Sequence, residues 1–321
     1  MSLGVVLLNM GGPDSPEAVR PFLENLFSDP EILRFPLSRW LQRPLARWIA
    51  SRRSPVVAER YRRIGGGSPI APITLAQAEA LEAELAARGV EARVTVAMRY
   101  WKPRAREAAE ALAERGADRL VVLPLYPQYS RATTGSSLAD LEDALRAAGL
   151  SGIPRTVIRS WHDHPAYLDS LAEAVREGLE ALPGATVLMS AHSLPQRLID
   201  RGDPYLDQVR GTVAGVLARL GDVPHRLAFQ SRTGPVRWLG PGVEEVLREL
   251  AAAGVERVLA VPVSFVSDHI ETLHEIDIEY RNLARSLGIR ELGRSPSLNT
   301  RPSFIRALAE LVQGALRGGP A

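Results

Sequence analysis

Cysteine is absent from this 321-residue chain. Disulfides, thiolate nucleophiles, Cys-ligated zinc and ordinary Cys-ligated iron–sulfur clusters are therefore excluded. Lysine is almost missing as well, Lys102 being the only one. Basic chemistry thus falls to arginine, which stays charged and grips carboxylates in a two-pronged fork. The apolar runs are strand-sized and broken by charge or proline, too short to span a bilayer. No Walker A ending, G-x-G-x-x-G or HExxH spacing occurs, so nucleotide binding is weakly supported and zinc-hydrolase chemistry is not. A net charge of +2 does not suggest nucleic acid as a partner. The opening MSLGVVLLNMGGP has no basic region before its apolar run and no A-x-A cleavage site. It reads as a buried first strand rather than a signal peptide, and the expected location is the cytoplasm.

What is present looks globular: 45% of residues are hydrophobic and 24% charged. The length favours two domains. Apolar runs at Val5–Asn9, Val94–Tyr100, Leu120–Tyr126, Thr156–Ser160, Val187–Ala191, Leu227–Gln230 and Val258–Phe265 predict strands. Between them Leu75–Arg88, Arg104–Arg115, Ala166–Ala181 and Val243–Ala253 carry helical periodicity. Strands apolar along their whole length, alternating with helices, predict an α/β fold with parallel sheets covered on both faces.

An internal repeat divides the chain. ALAERGADRLVVLPLY (111–126) matches ELAAAGVERVLAVPVS (249–264) in register, VLLNMGGP echoes VLMSAHSLP, and TVAMRYWKP more weakly echoes RLAFQSRTGP. Three echoes in one order predict two similar α/β halves, 1–152 and 153–300. The C-terminal helix 303–316 is expected to join the first. Ligands of open parallel sheets sit beyond the carboxyl ends of the strands, so the site is expected in a cleft between the lobes. The candidates are then Met10, Arg99, Tyr100, Tyr126, Ser130, His192, Ser231, Asp268 and His269.

Three stretches carry chemistry. SAHSLP puts His192 just past a strand, where an imidazole can take a proton or bind a metal; hydrogen bonding to loop backbone is an equal alternative. FVSDHIETLHEIDIEY (265–280) packs two histidines and five carboxylates after a buried strand. Asp268 followed by Glu271 fits a capping box, and Glu271, Glu275 and Glu279 fall on one helical stripe. Local pattern favours a capped, solvated helix; the sharper reading is a cation or proton path. From Arg34 to Arg63 lie nine arginines and one acid, Glu59, interleaved with Phe35, Leu37, Trp40, Leu41, Leu45, Trp48 and Ile49. Such a stretch suits a membrane surface, the mouth of an apolar pocket, or a core helix with solvated arginines.

Together these motifs closely resemble the ferrochelatase family. LLNMGGP, YRRIGGGSPI, LPLYPQYSRATTGSS, SAHSLP, RGDPY, FQSRTGPVRWLGP, SDHIETLHEIDIEY and SLN match in order along nearly the whole chain. The resemblance implies two Rossmann-like lobes around a porphyrin cleft, with Fe²⁺ and a porphyrin as substrates. It implies that His192 and Glu271 are the iron-site residues, facing each other across the macrocycle. Asp268, His269, Glu275 and Glu279 match the acidic path toward Glu271. Met10, Arg53, Tyr61, Ser68, Arg99, Tyr126 and Ser130 match positions near the macrocycle or its propionates. The Phe35–Trp48 region matches the hydrophobic lip, so peripheral membrane contact through residues 35–53 is a further expectation. Some relatives carry a two-iron cluster on cysteines; Arg131 stands at one such position here, and no cluster or other cofactor is expected. Met10, where coproporphyrin-using relatives tend to have tyrosine, leans toward protoporphyrin IX. Coproporphyrin III is the alternative, and a cobalt chelatase or a tetrapyrrole carrier are more distant ones.

Overall fold

The computed structural model describes residues 2–32, 39–232, 234 and 236–318, the side chains of Arg39 and Trp40 excepted. Phe35 and Leu37, two of the expected lip residues, lie outside the described residues. The chain divides into two compact units. The described parts of 1–126, 130–160 and 308–321 form one, and 127–129 with 161–307 form the other.

Among the described residues the first unit holds strands β1 (Leu3–Asn9), β2 (Ala92–Met98), β3 (Arg119–Pro124) and β4 (Arg155–Val157). The second holds β5 (Thr186–His192), β6 (His225–Gln230), β7 (Arg257–Pro262) and β8 (Glu291–Arg294). Both sheets are parallel throughout, in the orders β2-β1-β3-β4 and β6-β5-β7-β8. The three sequence echoes fall on matching strands, β1 with β5, β2 with β6 and β3 with β7. β8 escapes sequence reading because ELGR is short, polar and an edge strand, with little apolar surface to signal it.

Each sheet is buried on both faces, which is why its central strands are apolar without alternation. In the first unit Val6, Leu8, Ala97, Leu120 and Val122 pack with Ala109 and Leu112 of the helix Ala105–Glu114 and Leu141 and Leu145 of Ser136–Ala147. The helix Ile70–Ala87 packs against β1 and β2. In the second unit Leu188, Val258 and Ala260 pack with Val246, Leu247 and Leu250 of Val243–Ala252 and with Ile276 and Ala284. Here Pro165–Ala181 packs against β7. Burial of the valine, leucine and isoleucine side chains among them stabilises each by roughly 1.5–3 kcal/mol.

The repeat extends to the turns. Gly116 (φ 62°) and Gly254 (φ 76°) each follow a helix that precedes a central strand, taking the left-handed turn that only glycine adopts without penalty. β2 and β6 both leave through a loop ending in a proline, Met98 N donating to Pro103 O at 2.7 Å and Phe229 N to Pro241 O at 2.8 Å. The following helices both carry a glutamate in the first turn, Glu107 or Glu245, whose carboxylate accepts from the backbone N–H three residues earlier. After β3 and after β7 the helix is π-wound, Arg131–Gly135 and Glu271–Tyr280. Such i→i+5 turns are rare and concentrate at functional sites.

Within the described part of the basic stretch, Arg39–Arg62 is one helix. Ala46, Ala50, Ala58 and Tyr61 are buried, while Leu41 and Trp48 are exposed and Arg52 stacks on Trp48 at 5.2 Å. No described helix is long and apolar enough to cross a membrane. The triple glycine after this helix is a matter of backbone fit. A Cβ on Gly67 would lie 2.5 Å from the Asp14 carbonyl oxygen, while Ser68 N donates to Pro13 O at 2.7 Å. Because backbone cannot yield as a side-chain tip can, Gly67→Ala should destabilise the protein by about 1–3 kcal/mol. Denaturant unfolding checks this; unchanged stability would mean the turn gives way freely.

Candidate active site

His192 ends β5, where its backbone N–H donates to Ser264 Oγ at 2.9 Å and its carbonyl accepts from Tyr205 at 2.8 Å. These bonds fix the residue from both sides. Its Nδ1 lies 2.8 Å from Glu271 Oε2. The two residues are in contact within one unit, so a macrocycle cannot lie between them. The expected placement on opposite faces of a bound ring is corrected on that ground. The imidazole keeps 34% exposure against 16% for the carboxylate. Nε2 is the ring nitrogen not bound to Glu271.

Around Glu271 the residues were only partly foreseen. Ser231, just past β6, has φ 66°, an uncommon value for a residue with a Cβ. That turn aims its Oγ at Glu271 Oε2 (3.1 Å) and at Glu275 Oε2, while its N–H donates to Glu275 Oε1 at 2.8 Å. Gln230 Nε2 donates to the Glu271 carbonyl at 3.1 Å and to Glu275 at 3.2 Å, and its own carbonyl accepts from Ser190 at 2.6 Å. Tyr280 donates to Glu275 Oε1 at 2.7 Å. Glu275 and Tyr280 are five residues apart, about 1.4 turns of an α-helix, so α-helical periodicity separates them. The π-wound segment brings them together.

His269 is buried, its Nδ1 3.1 Å from the Ser267 carbonyl and its Nε2 4.0 Å from Glu271. Phe265 stacks edge-on against His269 at 4.4 Å and His192 at 6.3 Å. The sequence stripe therefore divides. Glu271, Glu275 and His269 join His192, whereas Glu279 lies 3.6 Å from buried His274. Asp268 joins neither group: its carboxylate accepts from Thr272, Ser297 and Asn299 and pairs with Arg294 at 3.0 Å. The capping box is also corrected, because the Asp268 N–H donates to Asn299 Oδ1 at 2.9 Å and not to Glu271. The helix begins at Ile270 with no side-chain cap.

The electrostatics follow. Burial disfavours an imidazolium at His192, but the Glu271 charge, the hydrogen bond to it and Glu275 outweigh that and raise its pKa. Burial likewise opposes charge on Glu271, and His192, His269 and Ser231 reverse the effect and hold its pKa low. Glu275 goes the other way: burial and the neighbouring Glu271 charge raise it. His269 is lowered by burial, against the pull of Glu271. A hydroxyl carries one proton, so Ser231 can satisfy both carboxylates only when Glu275 brings its own, which matches that raised pKa.

The remaining candidates lie in the first unit. Arg99 donates to Ser136 at 2.7 Å, Asp29 at 3.0 Å and Asp140 at 3.5 Å, so its charge is matched locally. Tyr100 also donates to Asp29, at 2.8 Å. Arg53 stacks over Phe27 at 5.7 Å, its pKa lowered by burial and by Arg60. Tyr61 and Ser68 are buried, and Met10, half-buried, anchors Tyr100 N at 2.9 Å through its carbonyl. Tyr126 faces Ser137 at 3.4 Å, and Ser130 caps the π-turn through Ala132 N at 3.1 Å.

A half-buried imidazole–carboxylate pair thus stands at a strand end in a doubly repeated parallel α/β fold. SirB from Bacillus subtilis with Fe³⁺ has the same fold, with a TM-score of 0.60 at 13% identity over 99% of this chain and 96% of that one. The sirohydrochlorin chelatase SirB from Bacillus subtilis subspecies spizizenii in complex with cobalt gives 0.55 at 14%, over 98% and 94%. The ferrochelatase family model matches residues 2–316. Ferrochelatases of Geotalea daltonii and Geobacter metallireducens are each 52% identical, covering 96% and 97% of this chain and 96% and 98% of their own lengths. That of Cyanothece sp. is 50% identical over 98% of this chain and 83% of its own. The chain belongs to the ferrochelatase family, and it is an enzyme that inserts a metal ion into a porphyrin.

The shifts set a pH window. The raised His192 pKa contributes stability that is complete below 6.5 and lost as pH rises through the folded value. The lowered Glu271 pKa contributes stability present above 4.5 and lost as pH falls through its folded value. The destabilisation caused by Glu271→Gln should therefore be greatest at about pH 4.5–6.5 and shrink above it. An NMR titration should place the His192 midpoint above 6.5 in the parent and lower in Glu271→Gln. Equal midpoints would show that the pair carries no charge coupling.

Proposed function

We propose that the metal is Fe²⁺ and the porphyrin is protoporphyrin IX, with His192 as the pyrrole proton acceptor and Glu271 as its partner toward proton and metal. The observation that carries this reading is the 2.8 Å His192–Glu271 bond beside Ser231 and Glu275. Metal insertion is ligand exchange without redox: two pyrrole N–H protons leave as one divalent ion enters. The protein must accept both protons while presenting the ion to the ring nitrogens.

Neutral His192 takes a pyrrole proton at Nε2. Its raised pKa makes it a stronger base, and catalysis is served best when that value lies near the working pH. The charge formed on the ring is balanced by Glu271 at Nδ1. Ser231 links Glu271 to Glu275, which gives a departing proton a hydrogen-bonded route from His192 through Glu271 and the hydroxyl once Glu275 has released its own proton. His269, Asp268 and Glu279 were grouped with this route by resemblance. Only His269 adjoins it geometrically, 4.0 Å from Glu271.

Among the described residues no three His, Asp or Glu side chains are arranged to hold a metal ion. His192 and Glu271 together offer two donors, and the ring nitrogens supply the remainder, as suits an ion that is passed on. Imidazole and carboxylate do not reject Zn²⁺, which ordinarily binds such donors more tightly than Fe²⁺. The resemblance assigns Met10, Arg53, Tyr61, Ser68, Arg99, Tyr126 and Ser130 to the macrocycle or its propionates. Binding energy from the periphery strains the ring so that its nitrogen lone pairs leave the plane. Met10 in place of tyrosine, within the resemblance already noted, supports protoporphyrin over coproporphyrin.

His192→Ala should lower Fe²⁺ insertion at least about 100-fold, the lower end for general-base catalysis, while porphyrin affinity stays within a few-fold. Anaerobic absorbance assays with protoporphyrin and coproporphyrin, beside fluorescence titration of binding, read both quantities. Near-normal turnover in His192→Ala would remove the base assignment, and preferential turnover of coproporphyrin would reverse the substrate. In the same assay Zn²⁺ should also be inserted; its complete rejection would mean that donors beyond His192 and Glu271 select the ion.

A further inference from the structure

Arg294, the last residue of β8, reaches two acids that bracket Glu271 along the chain. Its guanidinium grips Asp277 in a fork, Nε to Oδ1 at 3.0 Å and Nη2 to Oδ2 at 2.9 Å. Its Nη1 lies 3.0 Å from Asp268 Oδ1 and donates to Ser297 Oγ at 3.0 Å. Asp268 accepts in addition from Ser297 at 2.7 Å, Asn299 at 2.9 Å and Thr272 at 3.1 Å. The Asp268 N–H donates to Asn299 Oδ1 at 2.9 Å, and Asn299 N–H to the Val266 carbonyl at 2.8 Å. Asp268 immediately precedes the helical segment that presents Glu271 and Glu275, and Asp277 lies within it.

We infer that Arg294, acting through Asp268 and Asp277, is a positioning residue that holds the π-wound segment so that Glu271 meets His192. The inference rests on the reading of His192 and Glu271 as the reacting pair. A π-helix is a rarely populated winding, and this one starts without a side-chain cap, so its register needs support from outside. β8 supplies that support because it is hydrogen-bonded in register to β7, Arg294 pairing with Ala260. One planar fork can span both acids; an ammonium is a point charge and cannot. The same contacts reassign Asp268. Its carboxylate has four donors in place, and although burial disfavours its charge, Arg294 and the hydrogen bonds hold it ionised and low in pKa. Asp268 therefore anchors the segment and does not pass ions to Glu271.

The test is a double-mutant cycle on metal insertion in the full-length enzyme, with thermal melting alongside. Arg294→Met should lower kcat about 10–100-fold, the usual cost of losing an outer-shell partner, with porphyrin KM within about twofold. Arg294→Lys should recover only part of that loss. In a Glu271→Gln background, Arg294→Met should add less than about a threefold further loss, because its route to the chemistry is already cut. Asp277→Asn, which leaves the Asp268 link in place, repeats the measurement should Arg294→Met fail to fold. Equal losses in both backgrounds, or no loss in the parent, would overturn the inference. Near-parental turnover in Glu271→Gln would instead sink the reading of the reacting pair, whatever Arg294 does.

Discussion

A carboxylate withdrawn from water is costly unless charge and hydrogen bonds replace the lost hydration, and Glu271 is such a group. The structure around it answers that requirement. His192 supplies an imidazole nitrogen 2.8 Å away and Ser231 a hydroxyl, and Phe265 sets its ring edge-on to the imidazole. The neighbouring Glu275 cannot share the same compensation, so its pKa rises while that of Glu271 falls. Two like groups pushed apart in acidity, joined by one hydroxyl, make a site able to take up and release protons. The chemistry of metal insertion asks for that capacity.

The doubled architecture gives the site its frame. In each unit the residue just past the second strand reaches side chains at the start of the helix that follows the third strand. In the first unit Arg99 meets Ser136 and Asp140; in the second Ser231 meets Glu271 and Glu275. Both acids fall four residues along their helix from the first contact, and both helices begin with π-wound turns. In the first unit the result is a neutralised network around Asp29. In the second, a small hydroxyl replaces the guanidinium, and the acids turn instead to a histidine. One backbone construction thus serves a structural lock in one half and titratable chemistry in the other.

Strand existence, the parallel sheets and the repeat were legible because buried parallel strands leave long apolar runs and because Gly116 and Gly254 mark matching helix ends. β8 was not legible, since an edge strand of four residues with two charged side chains carries almost no hydrophobic signal. His192 and Glu271 stood out by type and by family motif, but the contact between them did not. Gln230 and Tyr280 were missed for distinct reasons. Gln230 reads as the polar end of a strand, and Tyr280 sits on the wrong face of any α-helix drawn from Glu275. Asp268 and Glu271 satisfy a capping-box spacing, yet Asn299 takes the backbone donor and Arg294 takes the acid.

By itself the sequence determined the fold class, the duplicated halves, the exclusion of cysteine chemistry and the segments bearing titratable groups. These depend on periodicity and residue type, which are local properties of the chain. The winding of the helix after β7, the positive φ of Ser231 and the direction each acid faces were decided only in the tertiary structure. Side chains distant in sequence meet there, His192 with Glu271 and Arg294 with Asp277, and a one-residue change in helical winding alters which groups meet. The difference between an acidic stripe in solvent and a carboxylate bound to His192 lies in that winding.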